Sequence, residues 1–212
     1  MKEPTFACGK CGAVGEFSEP WQLCEQCVDA VYGHGDPMQY VRWLLRALGQ
    51  DMDREGLRET PRRVVKMLRE LTTPEPFNFT VFASEGMSEM IVQAPIPFRS
   101  LCEHHMLPFV GTAAVCYVPR ERIVGLSKLA RAVHYCAAGL QNQERITTAV
   151  ADMLAHNLDT PDVGVVLRAR HLCMEMRGVR APDVFTTTSC LRGALLDDAR
   201  ARDEFLRLAG RA

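Results

Sequence analysis

Residues 89–119 read EMIVQAPIPFRSLCEHHMLPFVGTAAVCYVP, two apolar, strand-like runs on either side of a polar connection. Runs rich in Val, Ile, Phe and Tyr, bounded by proline and polar residues, are strand signals. The connection puts a thiol, a carboxylate and two imidazoles on consecutive residues, Cys102, Glu103, His104 and His105. A zinc site is the first reading of such a cluster. Cys102 and His105 supply only two ligands, however, and zinc in proteins takes three or four. The remaining donors must come from elsewhere in the chain.

Outward from this segment the hydrophobic period changes. Helices are expected from Ser127 to about Ala138 and from Glu144 to about Leu158, the second with Ile146, Val150, Met153 and Leu154 apolar. Strands return in GVVLRARHLCMEM (164–176) and FTTTSCLRGAL (185–195), and a short charged helix closes the chain. Two strands, two helices and two strands predict an α+β domain, an antiparallel four-stranded sheet carrying a helical pair on one face. Upstream, Met38, Val41, Leu44, Leu45 and Leu48 recur at helical spacing until Gly49. A second helix starts at Thr60-Pro61 with Val64, Leu68 and Leu71 inward, so the two form a helical hairpin that ends at TTPEPFNFT.

The first 32 residues differ from the rest. Cys8, Cys11, Cys24 and Cys27 form two Cys-x-x-Cys pairs with a twelve-residue spacer, among Gly9, Gly12 and Gly15. Two tight turns can then offer four thiolates to one tetrahedral ion, a closed structural zinc ribbon or knuckle. The expected division is a four-cysteine zinc-ribbon-like segment at 1–32, a linker and helical region at 33–77, and a catalytic domain at 78–212.

A chain of 212 residues, 47% of them hydrophobic, can bury a core of its own. No apolar run approaches the roughly 18 residues of a membrane span, and the first ten residues lack the form of a signal peptide. A cytoplasmic protein is expected, in which the nine cysteines stay reduced and serve metal binding or catalysis. A net charge of −1 argues against a generic nucleic-acid coat, so any anion must be gripped locally.

In RARHLCMEM, His171 and Cys173 are two apart, and an extended chain would point both to one face. Cys173 then completes a set with Cys102 and His105: two sulfurs, one nitrogen and a position open to water, the pattern of a catalytic zinc. His104 and His171 remain beside it as proton carriers near neutral pH. Cys116, Cys136 and Cys190 read as small core residues, and His34, His134 and His156 as satisfied surface or core groups. Ser127, Lys128 and Arg131 open a helix, where free N–H groups favour phosphate, and Arg177 adds a guanidinium near the metal. Glu144, with Gln143, starts the next helix; its carboxylate can accept a pair of hydrogen bonds from a guanine edge, or simply complement the helix dipole.

LCEHHMLPFVG, YVPRERIVGLSKLAR, NQERIT, RHLCMEMRGV and TTTSCLRG, in that order, resemble GTP cyclohydrolase I, as does LGQDMDREGLRETPRRVVKML upstream. The similarity runs from about Met38 to Leu208 and leaves out the Cys-rich segment. The resemblance implies the tunnelling fold and rings with a pooled β-barrel, usually a homodecamer of two pentamers with active sites between subunits. It also implies a hydrolase acting on a cyclic amidine. Zinc-activated water attacks the imidazole carbon of GTP, formate leaves, and the product is 7,8-dihydroneopterin triphosphate, for pterin, folate or 7-deazaguanine synthesis.

Carried over by motif, Cys102, His105 and Cys173 would bind catalytic Zn2+, and His104, His171 and Ser127 would move protons. Glu144, Gln143 and the backbone near Leu126 would read guanine. Lys128, Arg131, Arg177 and Ser127 would hold the triphosphate, joined by Arg63 and Lys66 from a neighbouring subunit. The chain departs from the pattern at Ala138, Gly139 and Phe185, where many members carry cations. Two other readings compete: an enzyme that stops at the ring-opened formamidopyrimidine, and a nucleotide- or nucleic-acid-associated module worked by the Cys-rich segment. The segment's cations, Lys2 and Lys10, make poor phosphate contacts, so nucleic acid is not expected as a partner.

Overall fold

The computed structural model describes residues 36–210 and the backbone of two short strands, β1 (Phe6–Ala7) and β2 (Val14–Gly15), which pair antiparallel. The Cys8, Cys11, Cys24 and Cys27 array lies outside the described residues. The chain divides into two units, residues 1–68 and 69–212.

In the first unit, α1 (Pro37–Ala47) begins where the pattern predicts. Asp36 caps it by accepting the Met38 N–H at 3.0 Å, and Pro37 occupies the first turn, where its missing N–H costs nothing. The helix stops before Gly49, whose φ of +76° suits glycine. A short turn, α2 (Glu55–Arg58), leads to α3 (Thr60–Thr72), which crosses into the second unit.

The second unit is α+β. Four strands, β4 (Ile91–Cys102), β5 (Pro108–Tyr117), β8 (Val163–His171) and β9 (Phe185–Leu191), pair antiparallel in that order. Between the middle two lie α4 (Leu126–Ala137) and α5 (Gln143–Leu158). Alternation decides which face meets the helices. Ile96, Phe98 and Cys102 of β4, Phe109, Ala113 and Val115 of β5, and Val165, Leu167 and Ala169 of β8 join Leu129, Val133, Ile146, Val150 and Leu154 in the main core. The opposite face is covered at one end by α7 (Ala194–Asp197) and α8 (Ala199–Ala209), which bury Leu195 and Phe205 against Ala114, Cys116 and Val166.

Strands β5 and β8 approach so closely at Gly111 that a Cβ there would lie 2.6 Å from Ala169 Cα and nearer still to the Arg168 carbonyl oxygen. Only glycine fits.

The structure adds elements that periodicity does not show. Strand β3 (Val81–Ala83) pairs with β6 (Arg122–Val124), and β7 (Leu140–Gln141) joins the outer edge of β4 in parallel. The strand expected to continue through Met176 stops at His171 and turns into α6 (Leu172–Glu175). A fork between Arg170 and Glu175, at 2.8 and 2.7 Å, spans the turn. In a strand, side chains five residues apart would stand about 16 Å apart on opposite faces. Folding back by one turn brings them together, so His171 and Cys173 meet across a strand–helix junction and not along a strand.

Candidate metal centre and its surroundings

Cys102 is the last residue of β4 and is 7% exposed. The following turn closes on it: its N–H donates to the Leu107 carbonyl at 2.9 Å, and its carbonyl accepts from Met106 N–H at 2.8 Å, with Met106 at φ +54°. This tight closure swings both imidazoles back, leaving Cys102 Sγ 3.7 Å from His104 Nδ1 and 3.8 Å from His105 Nδ1. Helix α6 supplies Cys173. Donor atoms of Cys102, His105 and Cys173 all lie within 4.8 Å of one another, close enough to share one ion. Burial, and then the neighbouring Cys102 sulfur, push the Cys173 thiol pKa up. Two crowded thiols resist ionising together, and a divalent cation is the partner that would draw off their protons. Two sulfurs and one imidazole are a donor set for a borderline or soft ion, with coordination left for solvent or substrate.

Arg177 also reaches this centre, its NH1 2.7 Å from His105 Nε2. A guanidinium only donates, so His105 Nε2 accepts; a neutral imidazole has one lone pair, so this contact and metal ligation are alternatives, and Arg177 is released to a ligand when His105 turns to a metal.

His171 sits at the end of β8 with its ring stacked on Phe109 at 4.6 Å and 7°, and its Nε2 2.8 Å from Gln143 Oε1. Burial lowers its pKa, opposed by the Glu144 carboxylate. His104 is more open, its side chain 68% exposed, with Nε2 3.8 Å from Glu103 Oε1. Glu103 in turn accepts from Asn142 Nδ2 at 2.9 Å and pairs with Arg145 at 2.8 Å, and these two partners hold its carboxyl below the usual range. Asn142 caps α5 through Arg145 N–H at 2.8 Å. Sequence reasoning named Glu103 in the cluster without giving it a role, and gave none to Asn142 or Phe109. The asparagine ahead of a helical run was a readable cap signal, whereas the other two act through contacts that only the fold creates.

The expected anion grip opens α4 behind Gly125, whose N-cap position carries no side-chain bond. The side chains of Ser127, Lys128 and Arg131 have no hydrogen-bond or ion-pair partner among the described residues, which leaves all three available to a ligand. Leu126, the first helical residue, is exposed. Arg131 lines a cavity of about 950 Å3 with Arg99, His134, Ala138, Arg168 and Phe185. The Arg168 guanidinium lies 3.5 Å from the centre of the Phe185 ring, so the strand beside Phe185 supplies a cation to this wall. Glu144 is exposed on the first turn of α5, beside Arg145, Thr148 and Asp152. Arg63 and Lys66 lie on α3 in the first unit.

The family model for GTP cyclohydrolase I matches residues 38–210. A protein of Aquifex aeolicus (strain VF5) named GTP cyclohydrolase 1 is 48% identical over 171 residues, covering 80% of this chain and 93% of that protein. One of the same name from Brevibacillus brevis (strain 47 / JCM 6285 / NBRC 100599) is 51% identical over 176 residues, covering 80% and 94%. Another, from Bacillus subtilis (strain 168), is 47% identical over 174 residues, covering 79% and 91%.

Proposed function

The chain belongs to the GTP cyclohydrolase I family, and on that premise we propose that it hydrolyses GTP to 7,8-dihydroneopterin triphosphate and formate at a zinc centre held by Cys102, His105 and Cys173. The observation that carries the metal is the convergence of those three donors from two separate elements to within 4.8 Å. Bound there, zinc supplies the Lewis acidity that makes water a nucleophile near neutral pH.

The protein's own groups do the rest. His171 gives a proton to the imidazole nitrogen that departs as the ring opens; Phe109 and Gln143 hold its ring. His104 and Ser127 serve proton transfers at the sugar during rearrangement. Glu144, with the backbone at Leu126, reads the guanine edge; Gln143, expected beside it there, is 1% exposed with its amide turned to Leu167, Thr186, Thr188 and His171, and serves the histidine instead. Ser127, Lys128, Arg131 and Arg177 hold the triphosphate, joined by Arg63 and Lys66. The fold is read as the tunnelling fold, assembled as two pentamers with sites between subunits. The side chains of Ser127, Lys128 and Arg131 on the first turns of α4, exposed or half-buried and without a partner among the described residues, support the anion-binding role. The Cys8, Cys11, Cys24 and Cys27 array is assigned a second, structural zinc, and the product is assigned to pterin, folate or 7-deazaguanine synthesis in the cytoplasm. Among the described residues no helix is long and apolar enough to cross a membrane.

Metal analysis with a turnover assay tests the reading. Two zinc ions per chain are expected, with GTP converted to a pterin that fluoresces after oxidation and with release of formate. Cys102→Ser should abolish turnover. If the metal-loaded protein leaves GTP untouched, or Cys102→Ser turns it over as fast, the reading is wrong.

A further inference from the structure

We propose that Gln143 is a positioning residue for His171: its amide oxygen fixes the imidazole in the Nε2–H tautomer, so that His171 gives and takes its proton at Nδ1. The inference deepens the reading above, resting on His171 as an acid–base group.

An amide's oxygen and nitrogen are told apart by what surrounds them. Gln143 is 1% exposed, and one end of its amide faces the backbone carbonyls of Leu167 and Thr186, both at 3.1 Å. Carbonyls only accept, so the NH2 must be at that end. The same nitrogen lies 3.0 Å from Thr188 Oγ1. Thr188 therefore accepts there and spends its own proton on Thr147 Oγ1 at 2.7 Å, while Thr147 donates to the Gln143 carbonyl at 2.7 Å. Every proton in this buried loop then has an acceptor, and no flipped arrangement satisfies both carbonyls.

With its nitrogen so engaged, Gln143 can show His171 only its oxygen. That oxygen is 2.8 Å from Nε2, and a lone pair there demands that Nε2 carry a hydrogen in the neutral ring as well as in the cation. Stacking on Phe109 at 4.6 Å and 7° holds the ring plane, and rotating the ring by half a turn would put a carbon against the amide oxygen. Nδ1 has no hydrogen-bond partner among the described residues. It is the nitrogen left to exchange a proton with substrate. The cationic ring gives up its Nδ1 proton to the departing purine nitrogen and becomes the neutral Nε2–H imidazole.

Magic-angle-spinning 15N spectra of the full-length protein with labelled histidine read the tautomer directly, at a pH of about 8 where an ordinary imidazole is neutral. His171→Asn identifies the signal. The wild-type protein should show a protonated Nε2 and a bare Nδ1; a protonated Nδ1 overturns the proposal, whether or not any variant folds. Gln143→Met, which matches the side chain's length and offers no amide, should leave a mixture of tautomers. It should also lower kcat roughly 10- to 100-fold, the usual effect of losing a partner that orients a site histidine, with KM for GTP changed less than about threefold. An unchanged tautomer in Gln143→Met, or a raised KM at constant kcat, would mean that Gln143 does not act through His171. A wild-type protein that shows the Nε2–H tautomer yet does not convert GTP would sink the proposed activity and leave the positioning intact.

Discussion

Phe109→Leu separates the support of His171, the proposed acid–base group, from the general stability of the sheet. Phe109 is fully buried and faces His171 across the β5–β8 ladder, with its ring stacked on the imidazole. It is also edge-on to Phe98 at 6.2 Å and 79°. Truncating a buried phenylalanine to alanine costs about 3–5 kcal/mol, most of it lost apolar volume. Leucine keeps much of that volume, so the loss narrows to two ring contacts at about 0.5–1.5 kcal/mol each, or roughly 2 kcal/mol together. For a chain of this size that corresponds to about 4–8 °C in Tm. Phe98→Leu is the control: it gives up one of the two contacts and should cost about 1 kcal/mol. Thermal unfolding and steady-state turnover of both variants, at equal metal content, decide the matter. Phe109→Leu should also lower kcat, because the imidazole loses the surface that holds its plane, whereas Phe98→Leu should leave kcat as it is. Equal kcat in the two variants would refute the claim that stacking orients His171.

Asn142→Ala removes both the α5 cap and a bond to Glu103, and should cost about 1–2 kcal/mol by thermal unfolding. Asn142→Asp, which keeps the capping oxygen but sets a carboxylate against Glu103, should recover only part of that. Gly111→Ala forces β5 and β8 apart and should cost more than about 3 kcal/mol, seen as loss of soluble, cooperatively unfolding protein; a variant as stable as the parent would show that the strands can separate. Burial pushes the Cys116 thiol up to about 12 and the Cys136 thiol up to about 11. The unfolded chain releases these protons from about pH 8.5, so above that pH the native state binds more protons than the unfolded one. Stability should therefore fall as pH rises, by about 1.4 kcal/mol per unit for each thiol, until the native thiol ionises too. Cys116→Ala should flatten the alkaline limb of a stability–pH curve, and an unchanged limb would show that the thiol is not held protonated.

Much of this architecture is legible in the sequence. Period-two and helical spacing give the strand–strand–helix–helix–strand–strand order, because each element buries one face against one core. Cys102 and His105 declare themselves by spacing, and Cys173 by its place beside His171. What the sequence hid is tertiary. The α6 turn brings Arg170 to Glu175, and over so few residues an extended and a turned chain have the same apolar pattern. Strand β7 has two residues and exists only through pairing with Leu101 and Cys102. Gln143, read from its place beside Glu144 as a contact to guanine, meets strand residues 24 and 43 positions away, and no local signal announces that.

These hidden contacts share a purpose, which is to fix register. Shifting a strand by one residue turns every side chain to the other face. At this end of the sheet a slip would carry Cys102 or His171 away from its partners. Phe109 opposite His171 and Gly111 opposite Ala169 pin the β5–β8 ladder, and Cys102 opposite Gln141 pins β4 to β7, all within a few residues of the candidate metal centre. Glu103 N–H donating to the Gln141 carbonyl at 3.0 Å extends the last pairing into the turn that carries both histidines. The cysteines and histidines are the groups proposed to carry the chemistry, and their meeting depends on close strand contact at one glycine. Gly111→Ala should therefore weaken metal retention even where a stabilising condition, such as added osmolyte, keeps the variant folded. A folded Gly111→Ala protein with full metal content would break the link between register and site.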